Sequence, residues 1–196
     1  MLVLDQLGQV NDPTFSIDSA SKLDMEDNDL IVHTGTNDNG STGTVLDPLG
    51  NTTHETQELG IVQGLAATGR NVAPGGIYDG AWTGKGLTSS AAAPADDNAN
   101  AGYEQNILAV VQNSDMYLGG YTKWTVGSAS ENLGANDIIV KYTYNGDLNL
   151  DGAVDGNAAT IFSSFYDGGA STQADYAFGD LNGDNKVDGN DATILS

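Results

Sequence analysis

The chain has 196 residues, of which 39% are hydrophobic, so it is long enough to bury a core and is expected to form one domain with an appendage. Its 27 acidic and 6 basic residues give a formal charge of −21, which argues against binding to nucleic acid or to an anionic membrane surface, because both require positive charge. The chain has no cysteine, which excludes disulfides and thiolate metal sites, and no run of about 20 apolar residues that could cross a bilayer.

The N-terminal segment predicts short strands joined by turns. Met1 to Leu4, followed by Leu7 and Val10, favour a strand that pairs either within its own sheet or with a neighbouring copy of the chain, since sheet edges accept added strands. Residues 15 to 32 alternate apolar and polar clusters, as short strands do. The polar run at residues 26 to 29 is interpreted as a hairpin connection, and chelation of an ion there is the less favoured alternative.

Residues 34 to 51 are rich in Gly, Asn, Asp and Thr and are predicted to form a loop. Two N-glycan acceptor patterns lie in this region, at Asn39-Gly40-Ser41 and Asn51-Thr52-Thr53. We treat Asn39 and Asn51 as candidate attachment points. Whether they are used depends on the organism.

A short amphipathic helix is predicted over Glu55 to Thr68, because Leu59, Val62 and Leu65 recur at helical spacing. Gly69 is the expected stop of this helix. Further along, residues 89 to 93 are a candidate helical turn. Three later segments have the composition of strands: Ile107 to Val111, Tyr121 to Val126, and Ile138 to Tyr144. These elements predict a mainly β fold, with a β-sandwich-like domain over residues 1–145 and one or two short helices.

No catalytic constellation stands out in the sequence. His33 and His54 are the only imidazoles, and each is interpreted as an ordinary strand or loop residue. Gly84-Lys85 is not a phosphate loop, because Gly86 follows the lysine where Ser or Thr is required. The acid pair Asp96-Asp97 is expected to lie in an exposed turn. We therefore expect no enzyme activity, and a glycoside hydrolase accessory region is the least favoured alternative.

Aromatic residues leave two interpretations open. Trp82, Trp124 and the eight tyrosines could form a face that stacks on sugars, because an aromatic ring offers a flat apolar surface with a polar edge. Packing in the core is the favoured interpretation. A polysaccharide therefore remains a candidate partner.

The most informative feature is one motif written twice, 33 residues apart, starting at Asp147 and at Asp180. Oxygens at loop positions 1, 3 and 5, a carbonyl at 7 and a carboxylate at 12 can wrap one calcium ion. In the second loop these ligands are Asp180, Asn182, Asp184, the carbonyl of Lys186 and Asp191, with Asp188 at position 9. In the first loop they are Asp147, Asn149, Asp151, the carbonyl of Ala153, and Asp155 at position 9.

The two loops differ at position 12, where the first loop has Ala158 and so lacks its closing carboxylate. We expect calcium in the second loop, whereas the first is weaker, completed by water or empty. Position 6 needs a residue that tolerates positive φ, and Gly152 and Asn185 both do. Val154 and Val187 at position 8 are expected to meet across a short β-bridge. The alternative is that both runs are simple turns, and the duplication disfavours it.

The repeated pattern, Gly-Asp-x-Asn-x-Asp-Gly/Asn-x-Val-Asp, resembles the type I dockerin repeat, a pair of calcium-bound loop-helix units. The resemblance spans residues 146–196 and implies an EF-hand-type loop-helix pair with Ca²⁺ as cofactor. The helix after the first loop has an apolar face at Ala158, Ile161, Phe162 and Phe165. The resemblance also implies that such a helix docks on a cohesin-like partner through loop positions 10 and 11. These are Gly156-Asn157 and Gly189-Asn190 here, rather than the hydroxyl pair common in cellulosomal dockerins.

Upstream segments resemble the C-terminal region of large secreted planctomycete-type surface proteins that end in dockerin-like repeats. The segments are residues 23–32, 69–71, 81–93 and 137–147. The likeness implies an extracellular or cell-surface location more than a chemistry. The chain is expected to be a processed product or a fragment, because residues 1–5 lack the features of a signal peptide and few residues follow Asp191.

Taken together, the sequence predicts a calcium-stabilised extracellular structural module of a cell-surface or fibre-like assembly, which self-associates into a homopolymer and has no enzyme activity. The alternatives are a dockerin-type module that binds a protein partner and a carbohydrate-binding module of a larger secreted protein. With free calcium at about 100 times the dissociation constant, one site would add about 2.7 kcal/mol to the stability of the folded state.

Overall fold

A computed structural model describes residues 1–7, 16–34, 44–46, 52–54, 57–71, 80–93, 105–117, 119–170 and 174–195. Within these ranges the fold is mixed, with several small sheets and three α-helices. The strands are β1 (Leu2–Leu7), β2 (Lys22–Asp24), β3 (Leu30–Thr34), β4 (Thr44–Leu46), β5 (Thr52–His54), β6 (Gly86–Thr88), β7 (Asn106–Gln112), β8 (Lys123–Val126), β9 (Ala129–Asn132) and β10 (Ile138–Tyr144). The helices are α1 (Gln57–Arg70), α2 (Gly156–Phe165) and α3 (Gly189–Leu195), with short 3₁₀ turns at Asn113–Asp115 and Tyr176–Phe178.

The main sheet has four strands in the order β1-β3-β10-β7. Strand β10 is antiparallel to both β7 and β3, whereas β1 runs parallel to β3. The two central strands carry consecutive fully buried residues, Leu30 to Val32 and Ile138 to Val140, as expected for strands covered on both faces. The N-terminal segment therefore pairs within its own sheet, at an edge. The position of Val10 lies outside the described residues.

Helix α1 confirms the helix predicted from apolar spacing, with Leu59, Val62 and Ala66 buried. Gly69 does not end it. A Cβ at Gly69 would lie 1.5 Å from the carbonyl oxygen of Leu87, so glycine is required there for close approach of the helix to β6. The helix ends at Arg70, followed by Asn71 with a φ of 63°, a common conformation after a helix C-terminus.

The remaining described strands form two-stranded pairs: β2 with β6, β4 with β5, and β8 with β9. Because β2 pairs with β6 and β3 lies in the main sheet, the predicted hairpin between them is wrong, although a turn does occur at residues 26 and 27. The candidate helical turn at residues 89 to 93 is confirmed as a single turn, because the N–H of Ala93 donates to the carbonyl of Ser89 at 3.2 Å. The predicted sandwich arrangement, and the domain boundary at residue 145, stay predictions.

Two hydrophobic clusters organise the molecule. The larger combines the main sheet, α1 and both tryptophans. The smaller lies among the C-terminal elements and contains Leu148, Ile161, Phe162, Phe165, Ala174, Phe178, Leu181 and Val187. The apolar face predicted for α2 is confirmed, since its four residues are all buried. In the described ranges no helix is long and apolar enough to cross a membrane.

Candidate metal centre

The two repeated segments, loop 1 (residues 147–158) and loop 2 (residues 180–191), adopt closely related backbone conformations. The glycine before each loop has nearly the same φ, 109° at Gly146 and 108° at Gly179. Position 6 also has a positive φ in both, 91° at Gly152 and 65° at Asn185, which confirms the prediction made from residue type. Each loop then runs into a helix, α2 or α3.

Both loops turn around the carboxylate at position 1. Asp147 accepts the backbone N–H groups of positions 5 and 6 at 3.0 and 2.8 Å. Asp180 accepts the same two groups at 3.1 and 2.8 Å, and that of Gly183 at 2.7 Å. The first ligand of the predicted calcium set therefore occupies the centre of each loop.

Positions 5 and 9 repeat the same hydrogen bonds to the backbone. Each position-5 carboxylate accepts the N–H of position 7, at 3.0 Å in loop 1 and 3.1 Å in loop 2. Each position-9 carboxylate accepts the N–H of position 11, at 2.7 and 2.8 Å. Asp155 thereby caps the N-terminus of α2. These bonds orient the carboxylates of Asp151, Asp155, Asp184 and Asp188.

Position 12 separates the loops. Asp191 is fully buried and accepts three backbone N–H groups, from Leu181 at 2.9 Å, Asn182 at 3.2 Å and Asp188 at 2.9 Å. It therefore joins the start of loop 2 to the end of the loop. Ala158 is also fully buried, but its methyl group can accept no hydrogen bond. In loop 1, the residue at position 12 therefore makes no side-chain hydrogen bond back to the start of the loop.

Loop 2 buries negative charge. Burial, with the neighbouring carboxylates of Asp191 and Asp184, raises the pKa of Asp180 to about 7, against backbone hydrogen bonds that lower it. Burial likewise raises the pKa of Asp191. Two carboxylates removed from water this way are costly unless a cation or a proton neutralises them.

The donor set of loop 2 suits Ca²⁺, because it consists of carboxylate, amide and carbonyl oxygens, which are hard ligands. In the described part of the chain, no three His, Cys, Asp or Glu side chains form a group suited to hold a metal ion. A calcium loop draws part of its ligand set from Asn and backbone oxygens, so carboxylates alone do not define it. In loop 1 the fit is incomplete: Asn149 Oδ1 is buried without a hydrogen-bond partner, yet position 12 supplies no oxygen.

Side chains from β10 and from the segment before β8 contact loop 1. Lys141 Nζ donates to the carbonyl of Leu150 at 2.5 Å and lies 3.8 Å from Asp147 Oδ2. The hydroxyl of Thr143 donates to Asp147, and that of Tyr121 donates to the carbonyl of Asn149 at 2.5 Å. Sequence reasoning missed these contacts. The available signal was that Lys141 and Thr143 share one face of the strand that leads into the loop.

Loop 2 is attached to the rest of the fold through the carbonyl of Leu181. Arg70 Nη2 donates to it at 3.3 Å from the end of α1, and Asn145 Nδ2 donates to it at 3.4 Å. The hydroxyl of Tyr176 accepts the N–H of Gly146 at 3.1 Å and donates to the carbonyl of Tyr144 at 3.2 Å. Residues preceding loop 2 are thus bonded to residues preceding loop 1.

The position-8 valines do not form the predicted β-bridge, and that prediction is wrong. Val187 is fully buried, whereas Val154 is 40% exposed. The loops pack through their preceding glycines instead. A Cβ at Gly179 would lie 2.9 Å from the ring of Phe162, and one at Gly146 would lie 3.1 Å from Leu195. Each glycine therefore faces the helix that follows the other loop.

Those of the other sequence candidates that the structure describes do not form a second site. Trp82 and Trp124 are 2% and 6% exposed, which confirms core packing for both. His33 lies in β3, with Nδ1 2.7 Å from Asp137 Oδ2. The acid pair at residues 96 and 97 and the candidate glycan sites Asn39 and Asn51 lie outside the described residues.

No family model, curated protein or solved structure matches this chain.

Proposed function

We propose that this chain is a calcium-stabilised, non-enzymatic structural module of an extracellular cell-surface or fibre-like assembly. In this proposal, the two C-terminal loop-helix repeats form a dockerin-like pair, and loop 2 binds Ca²⁺. The observation that carries the proposal is the burial of Asp180 and Asp191 in one loop whose oxygens repeat the spacing of a calcium site. A divalent cation there would neutralise both carboxylates.

Calcium suits this loop better than a transition metal, because its candidate ligands are all oxygen atoms. The residues that would hold it are Asp180, Asn182, Asp184, the carbonyl of Lys186, Asp188 and Asp191. When bound, the ion would supply positive charge at the centre of the loop and so stabilise the fold. Where free calcium is about 100 times the dissociation constant, the gain is about 2.7 kcal/mol. An extracellular location would supply such concentrations.

A structural role in an assembly is supported by the exposed edge that β1 gives the main sheet. In the described part of the sheet β1 has a single neighbour, β3, so its other edge can accept a strand from a second copy. Leu2 on this strand is 42% exposed. Self-association through sheet edges would produce a homopolymer.

Recognition of a protein partner is the second candidate. Loop positions 10 and 11 begin each helix, and Gly156, Asn157, Gly189 and Asn190 are all exposed. A cohesin-like partner could therefore reach the first turn of both α2 and α3. A polysaccharide partner has less support, because both tryptophans are buried.

The proposal is tested by calcium titration calorimetry combined with light scattering and electron microscopy on the same samples. We expect calcium binding, a rise in melting temperature and formation of higher-order particles. Asp180→Asn removes a proposed ligand charge, and Asp147→Asn is the matched change in loop 1. Only the former should abolish the tight binding event. A monodisperse monomer in saturating calcium would shift the function to partner binding, which pull-down against cohesins and glycan arrays would resolve. An absence of calcium binding would overturn the proposal.

A further inference from the structure

A lysine ammonium lies where loop 1 carries its buried negative charge. Lys141 is 17% exposed and projects from β10 with its Nζ 3.8 Å from Asp147 Oδ2 and 2.5 Å from the carbonyl oxygen of Leu150. The same ammonium lies 5.6 Å from the centre of the Trp124 ring, a distance at which a cation is attracted by the aromatic face. Its charge is therefore held in place at the loop.

Leu150 is an unusual residue in this loop. Its φ of 56° is uncommon for a side chain with a Cβ, whereas the matching position in loop 2 is Gly183, with a φ of 79°. The strained conformation persists only if neighbouring groups hold it. Lys141 binds the Leu150 carbonyl, and the buried Leu150 side chain packs in the main core. The lysine thus fixes the backbone of loop 1 as well as its charge.

The charge surroundings of the two position-1 carboxylates are opposite in sign. Asp147 is fully buried and has the Lys141 ammonium nearby. Asp180 is also buried, but the charged neighbours that act on it most are the carboxylates of Asp191 and Asp184. A buried carboxylate is stabilised when a cation accompanies it. Loop 1 has such a cation within the chain.

We propose that the Lys141 ammonium is the resident cation of loop 1, so that this loop closes without metal and calcium binds only at loop 2. The inference rests on the proposed function, since it takes loop 2 to be a calcium site. Ala158 fits this assignment, because the buried carboxylate of Asp147 already has an ammonium beside it, so no carboxylate is needed at position 12 to hold a metal ion. Calcium entering loop 1 would be repelled by the ammonium, which lies 3.8 Å from the position-1 carboxylate.

One atom of loop 1 would still favour a metal. Asn149 Oδ1 is buried and has no hydrogen-bond partner among the described residues. The occupancy of each loop is therefore measured separately. Two backbone amides serve as matched reporters, because Gly152 and Asn185 both donate to their position-1 carboxylate at 2.8 Å.

The experiment is a calcium titration of the full chain followed by amide NMR, with calorimetry for stoichiometry. We expect the Asn185 signal to shift and saturate at one equivalent while the Gly152 signal stays in place. If the two signals shift together at the same calcium concentration, the resident-cation proposal is overturned and the calcium proposal stands. If neither shifts, the calcium proposal itself has failed.

A set of variants tests the role of the ammonium directly. Ala158→Asp supplies the missing carboxylate, and Ala158→Asp with Lys141→Met also removes the ammonium. We expect the double variant to bind calcium in loop 1 at least about tenfold more tightly than Ala158→Asp alone. Ala158→Asp with Lys123→Met is the control, because Lys123 is exposed on β8 and carries the same charge.

Equal loop 1 affinities in the single and double variants would overturn the proposal, as would an equal gain from the Lys123 control. The Asn185 signal reports whether loop 2 remains folded in each variant. The titration of the unaltered chain decides the question even if a variant does not fold.

Discussion

Loop 1 and loop 2 share one backbone design and differ in how they balance buried charge. In both, the N–H groups of positions 5 and 6 surround the carboxylate at position 1. Loop 1 has an ammonium from a neighbouring strand, whereas loop 2 adds a second buried carboxylate at position 12. Hydrogen bonding therefore gives both loops the same shape, and the proposed difference in their need for an external cation follows from the surrounding charges.

Asp191→Ala should have the largest effect on the difference between the two loops. This change leaves three backbone N–H groups of loop 2 without their acceptor, and we expect a loss of about 3 kcal/mol or more in the free energy of unfolding. Stabilisation by calcium should disappear as well. Urea unfolding with calcium and with a chelator measures both effects. Asp155→Asn is the control in loop 1 and should retain the calcium effect. If Asp191→Ala is still stabilised by calcium, loop 2 is not the calcium site.

The second largest effect is expected in the pH dependence of stability, which depends on the buried carboxylate of loop 2. The pKa of Asp180 is raised from 3.8 to about 7 in the folded state, so the calcium-free folded chain binds more protons than the unfolded chain between these values. Its stability should therefore fall as pH rises from about 4 to about 7, by up to about 1.4 kcal/mol per pH unit. Calcium bound to the ionised carboxylate, as proposed, would remove this decline in stability. Urea unfolding across this range, with and without calcium, is the measurement. An identical slope in calcium would contradict a ligand role for Asp180.

Tyr176→Phe tests how firmly the two loops are joined. Its hydroxyl accepts the N–H of Gly146 and donates to the carbonyl of Tyr144. Its removal leaves that N–H without its acceptor, whereas the carbonyl still accepts the N–H of Asp147 at 3.0 Å. We expect a loss of about 1–2 kcal/mol in the free energy of unfolding. Denaturant unfolding compares it with Tyr166→Phe, which alters a side chain that is 47% exposed. Equal stability of the two variants would mean that the hydrogen bonds of the Tyr176 hydroxyl contribute little to the free energy of unfolding.

Thr143→Val should have the smallest effect and should act on loop 1 alone. It removes one hydroxyl bond to Asp147, which is worth about 1 kcal/mol in the free energy of unfolding. Calcium affinity, measured by calorimetry, should stay unchanged. Thr125→Val, at an exposed position of β8, is the control. A weaker calcium affinity in Thr143→Val alone would show that loop 1 contributes to binding.

Local pattern predicted the local elements of this chain well. The spacing of three and four among Leu59, Val62, Leu65 and Ala66 predicted a helix. The run from Ile138 to Tyr144 predicted a strand with its observed bounds. Pairing between distant segments was beyond such reasoning, because strand composition does not name a partner. The parallel pairing of β2 with β6 joins segments more than 60 residues apart, and it replaced the predicted hairpin.

At the candidate site, too, local features could be predicted, whereas contacts between distant segments could not. Residue type at position 6 predicted the positive φ in each loop, whereas the set of calcium ligands stays a prediction. Spacing within each loop could not predict Lys141, because that contact depends on how β10 enters loop 1 and which face of the strand turns towards it. The valine bridge failed for a related reason: Val154 stays 40% exposed, since the loops pack through their glycines and the facing helices.

The chain has only 6 basic residues, and two of them hold backbone carbonyls of the loops. Lys141 binds the carbonyl of Leu150, and Arg70 binds that of Leu181. A protease that cuts after lysine and arginine can cleave at these two positions only when the local structure opens, whereas exposed Lys85 and Lys123 are more accessible. Limited digestion would therefore yield fragments whose ends record which loop opened first.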